Sequence, residues 1–161
     1  MERVARATPF LKSISRNLTF YGIARTNIPP DWSLLRSPKW LPDEILLVAE
    51  VGIRLGWPTT GPTEEVSRVS SLLASGTMHG EEFLPGPKFR NVNGVSRKCF
   101  DLYSARPSYE GKATNGGKAT QEIAALAESD PQLVLRLAED IRRMLAKGYY
   151  ERRDLSFLSC E

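Results

Sequence analysis

Histidine occurs once in this sequence, at position 79, and cysteine only twice, at 99 and 160. That scarcity excludes chemistry built on clustered imidazoles and thiolates, because structural zinc sites need four such ligands and metal-assisted nuclease centres lean on several. Neither cysteine has a Cys or His neighbour at metal-ligand spacing, and two cysteines make no disulfide framework, so the setting reads as reducing and cytoplasmic. Long apolar runs are also missing. The best candidate, Ile45 to Val48, is broken by Glu50 and Arg54 and falls far short of the ~20 residues needed to cross a bilayer. No metal, cofactor or membrane is expected.

What is present suits a packed globule. With 161 residues, 41% hydrophobic and 25% charged, the chain has the size and composition of one domain with a core. The formal charge of +3 is unevenly spread. Residues 1–40 carry seven Lys/Arg against two acids, 41–85 two against seven, 86–118 seven against two, and 119–161 six against eight. Two basic blocks are the footprint of a surface that meets polyanions, although such blocks also serve as plain solvated faces.

Apolar spacing and capping signals predict a mainly α fold, a single multi-helix domain over 40–147 with a long Gly-rich loop, preceded by a basic arm (1–39) and followed by a short tail (148–161). Within the arm, MERVARATPFLKSISRNL lacks the apolar segment of a secretory signal, and a short helix followed by a Pro-punctuated linker is expected. Pro42, Asp43 and Glu44 suit a helix start, with periodic apolar residues to Gly56 and Pro58. TEEVSRVSSLLASG repeats the grammar, with acids in the first turn and Gly76 as the stop. Thr77 to Phe89 reads as a loop. Asn91 or Asn93 can cap a helix reaching about Ser104, with Val95, Cys99, Leu102 and Tyr103 inward and Arg97, Lys98 and Asp101 outward. ARPSYEGKATNGGKAT reads as a mobile loop. Two helices close the domain, one from about Lys118 to Glu128 and one capped by Asp130 with Pro131 first, its apolar face formed by Leu133, Leu135, Leu137, Ala138, Ile141 and Leu145.

The most charged stretch is KFRNVNGVSRK, residues 88 to 98. A helix N-terminus offers unpaired N–H groups and partial positive charge, and here cations stand on both sides of one. Lys88 and Arg90 suit phosphate contacts, Gly94 permits close backbone approach, and Asn91 or Asn93 can cap the helix or reach adenine edges. The plainer reading makes the asparagines caps and the cations solvated. Tyr109 can stack on a base or brace its own loop. Thr114 to Lys118 supplies donors before a helix start but lacks the spacing of a P-loop. The paired acids Glu64/Glu65 and Glu81/Glu82 do not share a helix face, and no catalytic residue is assigned.

The order of parts W40-LPDEILL, TEEVSRVSSLL, FRNVNGVSRKCFDL, RPSYEGKATNGGK and the helix from Asp130 resembles the N-terminal module that precedes the catalytic domain in actinobacterial methylcytosine-directed HNH restriction endonucleases. The resemblance covers roughly 40–147 and rests on Phe-Arg-Asn-x-Asn-Gly-Val-x-x-Lys and Pro-x-Tyr-x-Gly. Cys99 stands where leucine usually follows the motif lysine, and no HNH motif occurs in the sequence, so cleavage does not carry over. What the resemblance implies is an upstream module that reads DNA or its modification, in a defence setting. Together with the basic block at 86–118 it leads to the expectation of a helical DNA-binding module of restriction or phage-defence type, with Lys88, Arg90, Arg97, Lys98, Lys112 and Lys118 on phosphates, Asn91 and Asn93 as caps or base readers and Tyr109 stacking on a base or bracing its loop. The rival expectation is a protein-interaction module whose acidic 41–85 and basic 86–118 blocks dock a separately encoded nuclease or a second copy of itself; a hydrophobic patch formed by Trp32, Trp40 and Trp57 would favour it.

Overall fold

The computed structural model describes residues 37–57, 61–114 and 116–152. The helix and linker expected in the arm fall outside these residues except for positions 37–39, as do Trp32 and Cys160. Five α-helices make up the described fold: α1 (Pro42–Leu55), α2 (Glu64–Ala74), α3 (Val92–Ser104), α4 (Lys118–Ser129) and α5 (Pro131–Ala146). There is no strand among the described residues, and a single 3-10 turn, Thr77–His79, interrupts the expected loop before α3.

Helix α1 is the axis of the domain. It packs against each of the other four, which pair in sequence around it as α2 with α3, α3 with α4, and α4 with α5. Its residues 43 to 52 are all buried, so it is enclosed on every side instead of showing one apolar stripe. Leu46 and Leu47 are fully buried, each contributing on the order of 1.5–3 kcal/mol through removal from water. Around α1 lie Val66, Val69 and Leu73 of α2, Val95, Cys99 and Leu102 of α3, Ile123, Ala124 and Ala127 of α4, and Val134, Ala138 and Ile141 of α5.

The helix ends follow local chemistry. Proline begins α1 at the position where a missing N–H costs least, and Gly56 ends it in the left-handed conformation with φ 69°. Directly after, the Trp57 ring folds back against Gly52, where any side chain would collide with the indole. Thr63 caps α2 through its hydroxyl, which accepts from the Val66 amide at 3.2 Å. Asn91 caps α3 by accepting from Gly94 at 2.8 Å, and Asp130 caps α5 by accepting from Leu133 at 2.9 Å. The α5 face differs from the leucine list: Val134, Ala138 and Ile141 form the buried line, and Leu133, Leu135 and Leu137 flank it.

The stretch expected to be a mobile loop between α3 and α4 is held at three places. The Thr114 hydroxyl donates to Asp101 Oδ1 at 2.8 Å and its amide donates to Ser104 Oγ at 3.2 Å. Ser108 donates through its hydroxyl to Glu128 Oε2 at 2.7 Å. Tyr109 meets Tyr103 edge to face with centroids 5.1 Å apart. Gly111 lets the ring lie close, since a side-chain carbon on it would stand 2.5 Å from the Tyr109 hydroxyl oxygen and the ring would have to shift.

Beyond α5, the Tyr150 hydroxyl donates to Asp43 Oδ2 at 2.7 Å and ties the end of the domain to the start of α1. Burial first, and then the bond to Asp43, push the Tyr150 phenol well above its ordinary value of 10.0.

Candidate nucleic-acid interface

The residues singled out between 88 and 118 separate into two groups. Arg90 belongs to the interior. It sits in the left-handed region, φ 44°, in the residue before the α3 cap, and its carbonyl accepts from the buried Ser70 hydroxyl of α2 at 2.9 Å. That backbone turns the side chain inward onto Glu44 of α1: Nε donates to Oε1 at 2.9 Å and one terminal nitrogen to Oε2 at 2.7 Å. The same terminal nitrogen reaches the carbonyls of Pro38 at 3.1 Å and Lys39 at 3.0 Å. Trp40 and Phe89 lie against the guanidinium, with centroids 4.0 and 4.6 Å from its central carbon.

His79 completes this cluster, its Nε2 standing 3.0 Å from Glu44 Oε1 between Phe83 and Phe89. Glu44 also accepts the Leu41 amide at 2.8 Å, so both carboxylate oxygens are occupied. Arg90 is therefore not available as a phosphate contact: a fully buried carboxylate demands a counter-charge, and Arg90 supplies it. Sequence reasoning missed this cluster because His79 and Arg90 lie 35 and 46 residues from Glu44 and share no local pattern with it.

Lys98 is the second inward cation, against the outward expectation. Only 8% of its surface is exposed; its ammonium lies 3.5 Å from Asp101 Oδ2 and 3.5 Å from Thr120 Oγ1, and 5.4 Å from the Trp40 ring centre. Its long aliphatic stem fills space between α3 and α4 while the charge finds Asp101 one turn on. Asn91 acts as the cap. Gly94 serves that cap, because a side-chain carbon there would lie 3.3 Å from Asn91 Oδ1. Tyr109 braces its loop on Tyr103.

The remaining positions face solvent. Lys88, Asn93, Arg97, Lys112 and Lys118 are exposed, Lys118 with a surface pairing to Glu122 at 3.5 Å. Phe100, unremarked in the sequence, is 41% exposed on the outer side of α3. Trp40 and Trp57 are half-buried against the core, as the core-packing reading of these tryptophans expects. Among the described residues no group of three or more His, Cys, Asp or Glu is placed to hold a metal ion, and no helix is long and apolar enough to cross a membrane.

Comparison with known proteins adds little to this geometry. No protein-family model and no solved structure matches the chain. A type III pantothenate kinase from Acidothermus cellulolyticus is 35% identical over 118 residues, which is 71% of this chain and 43% of the kinase. The chain thus spans less than half the length of the curated relative that it matches.

Proposed function

We propose that residues 40–147 form a DNA-binding module of restriction or phage-defence type, acting in a bacterial cytoplasm without a nuclease centre of its own. The observation that carries the reading is the division of the motif's cations. Arg90 and Lys98 are consumed by the fold, whereas Lys88, Arg97, Lys112 and Lys118 stand exposed within one basic block. Charges that the fold does not need, gathered in 86–118, suit a phosphate backbone. The resemblance to the upstream module of methylcytosine-directed endonucleases points the same way, and a separately encoded nuclease is the partner it suggests.

The test is retention of labelled duplex DNA, plain and cytosine-modified, across a salt series. Tight binding that weakens steeply with salt supports the module, and preference for one duplex identifies what it reads. Absence of binding at low salt, together with salt-insensitive self-association, replaces it with the protein-interaction module. The kinase similarity supplies a separate control: release of nucleoside diphosphate in the presence of pantothenate would replace both readings with phosphoryl transfer.

A further inference from the structure

Resting on the DNA-binding reading, we infer that α3 is the element that enters the major groove, and that Asn93, Arg97 and Phe100 meet base edges there. These three residues are spaced by four and three positions, so they line one face of the helix over ~10 Å. The opposite face is locked into the core by Val95, Lys98, Cys99 and Leu102. The helix is therefore rigidly mounted with one ridge outward.

That ridge differs from the outer faces of its neighbours. On α2 the exposed Arg68 pairs with Glu64, and on α5 Arg143 pairs with Glu139 at 3.0 Å. On α3 no ion pair to Arg97 occurs among the described residues, and the helix's single acid, Asp101, is engaged by Thr114 and Lys98. The ridge thus keeps an uncompensated cation, an amide and an exposed aromatic ring side by side. Their chemistry matches what a groove offers: a guanidinium pairs with guanine O6 and N7, an asparagine amide with adenine N6 and N7, and a phenyl edge with a thymine methyl group.

Both ends of the ridge carry further cations. Lys88 precedes the cap of α3, and Lys112 lies two residues before Thr114, which is bonded to Ser104 at the helix's other end. Lys88 and Lys112 would hold the two flanking backbones while the ridge lies in a groove ~12 Å wide. Glu110, exposed on the same loop, sets a repulsive limit on how far that loop approaches phosphate.

Selection of binding sites from a randomised duplex pool by the full chain, repeated with Asn93→Ala, Arg97→Ala, Phe100→Ala and Lys88→Ala, tests the inference. The altered side chains are exposed, and unchanged melting by circular dichroism checks that the fold persists. Arg97→Ala should lower preference for the selected site over a scrambled one by about tenfold or more, whereas Lys88→Ala should weaken both duplexes alike. Replacing guanine by 7-deazaguanine in the selected site should weaken the wild type and leave Arg97→Ala unaffected. Unchanged preference in all three ridge variants overturns the inference, as does binding without any preference or stronger retention of single strands than of duplex. No duplex binding even at low salt removes the DNA reading itself, an outcome distinct from binding without preference.

Discussion

The guanidinium of Arg90 holds both carboxylate oxygens of Glu44, at 2.9 and 2.7 Å, across 46 residues of sequence. Both side chains are almost completely buried, 4% and 1% exposed. The pair joins the turn before α3 to the first turn of α1, and through the Pro38 and Lys39 carbonyls it also fixes the chain that leads into the domain. Removing one member of such a pair leaves an uncompensated charge in the core.

Arg90→Ala should accordingly destabilise the domain by about 3–5 kcal/mol, read as a fall in the urea midpoint. At a temperature where the variant stays folded, the slope of DNA affinity against salt should match the wild type. A shallower slope would put Arg90 back on the phosphate backbone.

Lys88→Ala and Lys112→Ala should do the opposite. Each should reduce the slope of log affinity against log salt by about one, since one fewer counterion is released, while stability stays within about 0.5 kcal/mol. Salt titrations of the two variants beside Arg90→Ala separate surface charge from buried charge directly.

Gly52→Ala sets two effects against each other. Alanine in a helix interior is favoured over glycine by about 1 kcal/mol, but the new methyl would meet the Trp57 indole. Overpacking of this kind costs about 1–3 kcal/mol. Collision should win, so the melting temperature should drop, and Trp57 fluorescence should shift as the ring is pushed toward water. A rise in melting temperature would show that the ring gives way at no cost.

Tyr150 ties the end of the domain to Asp43, and its phenol is held above the ordinary value. The folded state keeps that proton more tightly than the unfolded chain. The stabilisation is therefore complete below about pH 10 and is lost as the pH rises further. Urea midpoints at about pH 9 and about pH 11 should fall more for the wild type than for Tyr150→Phe. Equal falls would count against the bond.

Much of the scaffold was legible because its signals are local. Asp130 announces its helix by cap chemistry alone, the cap of α3 narrows to Asn91 or Asn93, of which the fold uses Asn91, and Pro42 and Gly56 bracket α1. The errors arose where a long-range partner reversed a local preference. Charge suggested that Lys98 faces water, yet Asp101 and Thr120 give it an interior seat. Arg90 read as a surface cation because nothing near it in sequence reveals the buried Glu44. On α5, leucines outnumber the single valine, but helical phase decides burial, and Val134 lies on the inner line. The candidate site was legible in composition and illegible in division: only the fold separates the cations it uses from those it leaves exposed.

Three acids sit within the enclosed span of α1, each bound by a different element. Asp43 meets Tyr150, Glu44 meets Arg90, and Glu50 meets Arg142 of α5 with nitrogens 2.9 and 2.8 Å from its Oε2. Asp43 and Glu50, seven residues apart, point the same way, and Glu44 points about 100° away. A cylinder greased on all sides could turn or slide in its sleeve. These three pegs, two in line and one off the line, fix both its rotation and its depth, and so index the outer helices to a common origin.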